Sequence, residues 1–125
     1  MFVPVLRLLV PAMLTMSLAS TVFAGPADVV GVKVQKSAPG VDNFAVTVRH
    51  ADSGWTHYAD AWEVVDAKGQ VLGTRVLAHP HDNEQPFTRS LSGVKNPANV
   101  DRVRLRARDK MHGFGGAEVV VKLPR

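Results

Sequence analysis

Arg102-Val103-Arg104-Leu105-Arg106-Ala107-Arg108-Asp109 alternates strictly between charged and apolar residues until its last position. Successive side chains of an extended chain point to opposite faces, so Val103, Leu105 and Ala107 share one side and the four arginines share the other. A helix would scatter the same residues around its circumference. The stretch therefore predicts a β-strand with one buried and one solvated face, as in antiparallel sheets.

The same period extends outward through the chain. Runs of comparable length are Val29 to Lys36, Phe44 to His50, Ala59 to Asp66, Gln70 to Ala78, Gln85 to Leu91, Val100 to Asp109 and Ala117 to Leu123. Between them lies turn chemistry, such as Ala38-Pro39-Gly40, Asp66-Ala67-Lys68-Gly69 and Asn96-Pro97. No segment shows a helical period. The pattern predicts an all-β fold, a seven-stranded antiparallel β-sandwich of immunoglobulin or fibronectin type III kind. Its expected core is Val30, Val32 and Val34, then Phe44, Val46 and Val48, then Trp62 and Val64, with Val103, Leu105, Ala107, Val119, Val121 and Leu123 from the last two strands. Phe87, Arg89 and Leu91 break the alternation and leave the register of the fifth strand open.

Residues 1–24 read differently. One cation, Arg7, precedes the apolar run Leu8 to Met16, and small residues lead to Val22-Phe23-Ala24, the pattern of a cleaved secretory signal peptide. The expected domain is residues 25–125, periplasmic or secreted, with no cysteine before Gly25 to carry lipid and no membrane anchor. The chain has no cysteine anywhere, so no disulfide can hold it; the core must, with the help of any bound ion. Without Arg7, fourteen basic residues face eleven acidic ones, a net charge of +3. Such a mild excess does not call for nucleic acid.

The five histidines are more informative. In an up-and-down sandwich His50, His57, His79, His81 and His112 all fall at one pole, and the opposite pole has none. Imidazole is the commonest ligand of zinc and copper, Met111 adds a thioether, and Asp52, Asp82 and Glu84 add carboxylates in the same loops. This predicts a metal site with His79, His81 and His112 as first ligands, His57 and His50 next, and Met111 as a soft donor. Copper is favoured and zinc second, because a cysteine-free set of His and Met suits copper outside the cytoplasm. Against it stands a plainer expectation: loop histidines facing water, with His50, at an apolar parity, as a core-edge residue bonded to a carbonyl.

Arg102, Arg104, Arg106 and Arg108 form a ridge that fits a protein or polyanion partner, the alternative to a metal-binding role. Cross-strand pairing with Glu63 and Glu118 explains the same ridge without a partner. No Gly-x-Ser-x-Gly elbow, phosphate loop, dinucleotide fingerprint or His-Glu-x-x-His pattern occurs, and nothing marks Ser53 as activated, so no enzyme is expected.

The stretch His79-Pro80-His81-Asp82-Asn83-Glu84-Gln85-Pro86-Phe87-Thr88-Arg89-Ser90, flanked by Gly54-Trp55 and Met111-His112-Gly113, resembles a group of small exported bacterial β-sandwich proteins. That resemblance spans most of residues 25–125 and implies export and fold without an activity. The overall plan is also similar to periplasmic copper-carrier domains, which implies a copper site, although their Met-rich motif is not in this sequence.

Overall fold

The computed structural model describes residues 25–125, and the expected signal peptide lies outside them. Eight strands follow one another: β1 (Asp28–Ala38), β2 (Val41–Arg49), β3 (Ala59–Val65), β4 (Val71–Val76), β5 (Phe87–Lys95), β6 (Arg102–Asp109), β7 (Gly113–Phe114) and β8 (Val119–Lys122). All pairings are antiparallel. One sheet has the order β1-β2-β5; the other has β4-β3-β6-β7, with β8 also on β6. None of the described residues forms a helix long and apolar enough to cross a membrane.

The two sheets bury their apolar rows against each other, as the period-2 pattern requires. Phe44, Val46 and Val48 of β2 and Phe87 of β5 meet Trp62 and Val64 of β3 and Val103, Leu105 and Ala107 of β6. Trp62 is the largest fully buried side chain and sits opposite Ala107 in the ladder, so bulk faces smallness. Leu123 is buried at the end of the chain, while Val119 and Val121 pack at the core's margin.

Three expectations need correction. A short extra strand, β7, forms in the turn expected between the last two strands, and the run expected from Ala117 to Leu123 is a single strand shortened to β8. Val30 is exposed and Val29 takes its place in the core, because the β1–β2 register shifts between Val29 and Gly31 and reverses the parity there. The fifth strand runs on to Lys95, past the turn expected after Leu91. Gly93 adopts φ of 72°, where a side chain is disfavoured, and its N–H binds Asn43 Oδ1 beside a register shift between Asp42 and Phe44. A bulge therefore continues the strand where the glycine signalled a turn. The open register is also settled: Phe87, Arg89 and Leu91 lie opposite Val48, Val46 and Phe44 and so share the inward parity.

The inward rows place the site. Phe44, Val46 and Val48 are followed on the same parity by His50, and Val103, Leu105 and Ala107 by Asp109. At one end of the sandwich the core thus ends in polar residues contributed by both sheets, and both are buried.

Candidate metal centre

Asp109 is the hub. Its side chain is 0% exposed, and Oδ2 lies 2.9 Å from His112 Nδ1, 3.1 Å from His50 Nε2 and 3.4 Å from His57 Nε2. Its other oxygen accepts the backbone N–H of Met111 at 2.8 Å and also that of His112. The carboxylate thereby both faces the histidines and shapes the turn that carries one of them.

Each histidine reaches this point by a different route. His50 arrives as the next inward residue beyond β2, His57 from the loop between β2 and β3, and His112 from the turn after β6. The His50 side chain is 0% exposed, His57 9% and His112 38%. One donor atom each from His50, His57 and Asp109 lies within 4.8 Å of the others. His112 closes the rim on the solvent side.

Burial alone would raise the Asp109 pKa. Hydrogen bonds from the His112 N–H and imidazole, from His57 and from the Met111 N–H outweigh that penalty, and the pKa lies below the ordinary carboxylate value. The group is an anion in a buried place, where it needs cationic or hydrogen-bonding company.

Behind His50 stands a second buried carboxylate. Asp52 Oδ1 lies 2.5 Å from His50 Nδ1 and accepts the Ala59 N–H at 3.0 Å, and its Oδ2 accepts the His81 N–H at 2.7 Å. Asp52 thus ties the β2–β3 loop to the loop between β4 and β5.

The other two expected first ligands lie in a separate group. His79 is exposed, with Nδ1 donating to Pro80 O at 2.9 Å. The His81 ring stacks on Phe87 at 3.9 Å between centroids and 8° between planes. Arg89 donates to His81 Nε2 at 3.0 Å, so this nitrogen accepts and the proton resides on Nδ1. Burial, the Arg89 guanidinium and His79 together lower the His81 pKa. A guanidinium on the nitrogen that would serve as ligand makes this a poor place for a metal ion. Met111 contributes its N–H to Asp109, while its residue is 66% exposed.

Asp109 was the residue that the sequence expectation missed. Its signal was present: a carboxylate that continues the apolar parity of Val103, Leu105 and Ala107 must be buried. The arginines of the same strand are largely engaged. Arg104 pairs with Glu118 at 3.1 Å, Arg106 with Glu63 at 2.8 Å and Arg108 with Asp60 at 2.9 Å. Arg106 also lies over the Phe114 ring, 4.2 Å from its centroid. Pairing with carboxylates accounts for three of the four arginines, while Arg102 stands opposite Lys122.

No protein-family model matches the chain, and no solved structure matches it. A protein of Halomicrobium mukohataei named "Putative lipoprotein" is 40% identical over 95 residues, which is 76% of this chain and 46% of that protein. The chain thus spans about half the length of the relative it matches.

Proposed function

We propose that this is an exported metal-binding domain whose ion is held by His50 Nε2, His57 Nε2 and Asp109 Oδ2, with His112 at the rim. The observation that carries the proposal is spacing. Ligand atoms on a tetrahedral ion with bonds of 2.0–2.1 Å lie roughly 3.3–3.4 Å from one another. His50 and His57 stand 3.1 and 3.4 Å from the same carboxylate oxygen, and the three donor atoms lie within 4.8 Å of one another, so the histidines need only a small closing movement around an ion. Loops and strands from both sheets converge to produce that spacing in a buried place.

The donor set of imidazole and carboxylate suits a divalent first-row ion, with copper(II) bound ahead of zinc(II) by the usual affinity order. A soft copper(I) site is less favoured, because the Met111 side chain faces solvent and a carboxylate stands in its stead. The role is binding or carriage without catalysis. Export is supported by the signal-like residues 1–24 and by the word lipoprotein in the relative's name. The strand order, with the first, second and fifth strands facing the fourth, third, sixth and last, supports the immunoglobulin or fibronectin type III kind of sandwich. The pairing of three arginines with carboxylates weighs against an anionic partner as the main role.

The test is chelator-competition titration of untagged protein with copper(II) and zinc(II). One ion per chain is expected. Asp109→Asn and His57→Ala should each weaken binding by more than about 100-fold, beyond the loss typical of outer-shell partners. His79→Ala should leave affinity unchanged. Equal binding by all three variants would exclude this site.

A further inference from the structure

The contact between His50 and Asp52 says more about this centre than that it is buried. Both side chains are 0% exposed and their ring-nitrogen-to-oxygen distance is 2.5 Å, so the pair excludes water. An ionised carboxylate only accepts, and Asp52 already takes the N–H groups of Ala59 and His81, which fix both of its oxygens in place. The ring proton of His50 must therefore reside on Nδ1. A neutral imidazole carries one proton, so Nε2 presents its lone pair, and it does so towards the Asp109 oxygen 3.1 Å away.

Two lone pairs facing each other across 3.1 Å in a buried place repel unless a positive charge stands between them, a second proton on the imidazole at low pH or a metal ion when the ring is neutral. His57 and His112 can each turn a ring N–H to Asp109, whereas His50, with Nδ1–H held by Asp52, can meet Asp109 only as an imidazolium or through a bound ion. We infer that Asp52 is a positioning residue of the metal centre: it fixes the tautomer and the ring plane of His50, raises the donor strength of Nε2, and keeps that nitrogen free for the ion. This inference rests on the metal-binding proposal. It adds a residue that touches neither the ion nor any ligand but His50. The loop between β4 and β5 enters through the same group, since the His81 backbone N–H holds Asp52 Oδ2 at 2.7 Å. The His79-Pro80-His81 segment then matters to the metal centre through its backbone, and not as a source of ligands.

The experiment has two arms, both on the full domain and read with zinc(II) as the added metal. Asp52→Asn keeps the size and an accepting oxygen but loses the charge. It should bind zinc 10- to 100-fold more weakly, the range for outer-shell partners of metal-bound histidine. Asp109→Asn, run alongside, reports on the centre itself. Loss in Asp109→Asn with no change in a folded Asp52→Asn would overturn the positioning role alone, whereas no loss in Asp109→Asn would overturn the metal site.

The second arm needs no variant. Nitrogen-15 NMR of the metal-free wild-type imidazoles, at a pH where they are neutral, should show His50 as the tautomer protonated on Nδ1, in contrast to the Nε2 form that predominates in free histidine. The tautomer reports that Asp52 holds His50 Nδ1, and the zinc affinity of Asp52→Asn reports that the hold serves the ion. A His50 found protonated on Nε2 would overturn the inference, whether or not Asp52→Asn folds.

Discussion

At the scale of single residues, parity decides who is buried and contact decides who can act. His50 and Asp109 continue apolar rows, and that alone could have marked both as buried polar groups facing each other across the core. What the sequence could not give was direction within a loop. His79 and His81 carry the more suggestive spacing, yet His81 is taken by Phe87 and Arg89. This makes His81 a source of pH dependence instead. Its pKa in the folded protein lies below 6.5, by burial first and then by Arg89 and His79, against smaller opposing effects of Asp52 and Glu84. Above pH 6.5 both folded and unfolded chains hold it neutral and its contribution to stability is fully present. As the pH falls below 6.5 the unfolded chain takes the proton first, and that contribution is lost as the pH approaches the folded pKa. Urea denaturation of metal-free protein at a series of pH values should show wild type losing more stability below pH 6.5 than His81→Gln. Parallel profiles would remove His81 as the cause.

At the scale of elements, the strands were legible because a period of two survives in sequence, while bulges were not. A bulge inserts one residue and flips every later side chain, as at Val29-Val30-Gly31, and its sign in the sequence, an isolated glycine such as Gly31 or Gly93, is shared with turns. The gap between β7 and β8 is a place of close packing. A Cβ on Gly116 would sit 1.9 Å from the carbonyl oxygen of Ala27, and next to this contact Ala117 exchanges hydrogen bonds with β1, giving its N–H to Asp28 Oδ1 and its carbonyl to the Val29 N–H. The approach joins the start of β1 to the segment before β8, across the two sheets. Gly116→Ala must push these backbones apart and should cost more than Gly93→Ala. The latter meets open space and bears only the left-handed backbone penalty, about 1–2 kcal/mol. Comparison of the two variants by chemical denaturation checks the order, and a Gly116→Ala as stable as Gly93→Ala would contradict it.

At the scale of the whole molecule, the centre joins both sheets and three connections, so its ligands meet only in the folded chain. A metal ion that binds the folded state alone stabilises it by mass action, by about 2.7 kcal/mol at a free concentration one hundred times the dissociation constant. Thermal denaturation should therefore shift upward with added copper(II) or zinc(II) in wild type and not in Asp109→Asn. The pole of the histidines was legible because topology assigns loops to poles. The set that meets there was not, because it depends on how far each loop leans over the core. The ridge of arginines shows the converse: conspicuous in sequence, three of its four members are paired with Asp60, Glu63 and Glu118 in the folded chain.

The most direct test of the central claim is an anomalous difference map from a crystal of the zinc-loaded protein. One peak per chain is expected within bonding distance of His50 Nε2, His57 Nε2 and Asp109 Oδ2, with the His50 Nδ1 contact to Asp52 retained. A peak on His79 and His81, or none between His50 and Asp109 at saturating zinc, would contradict it.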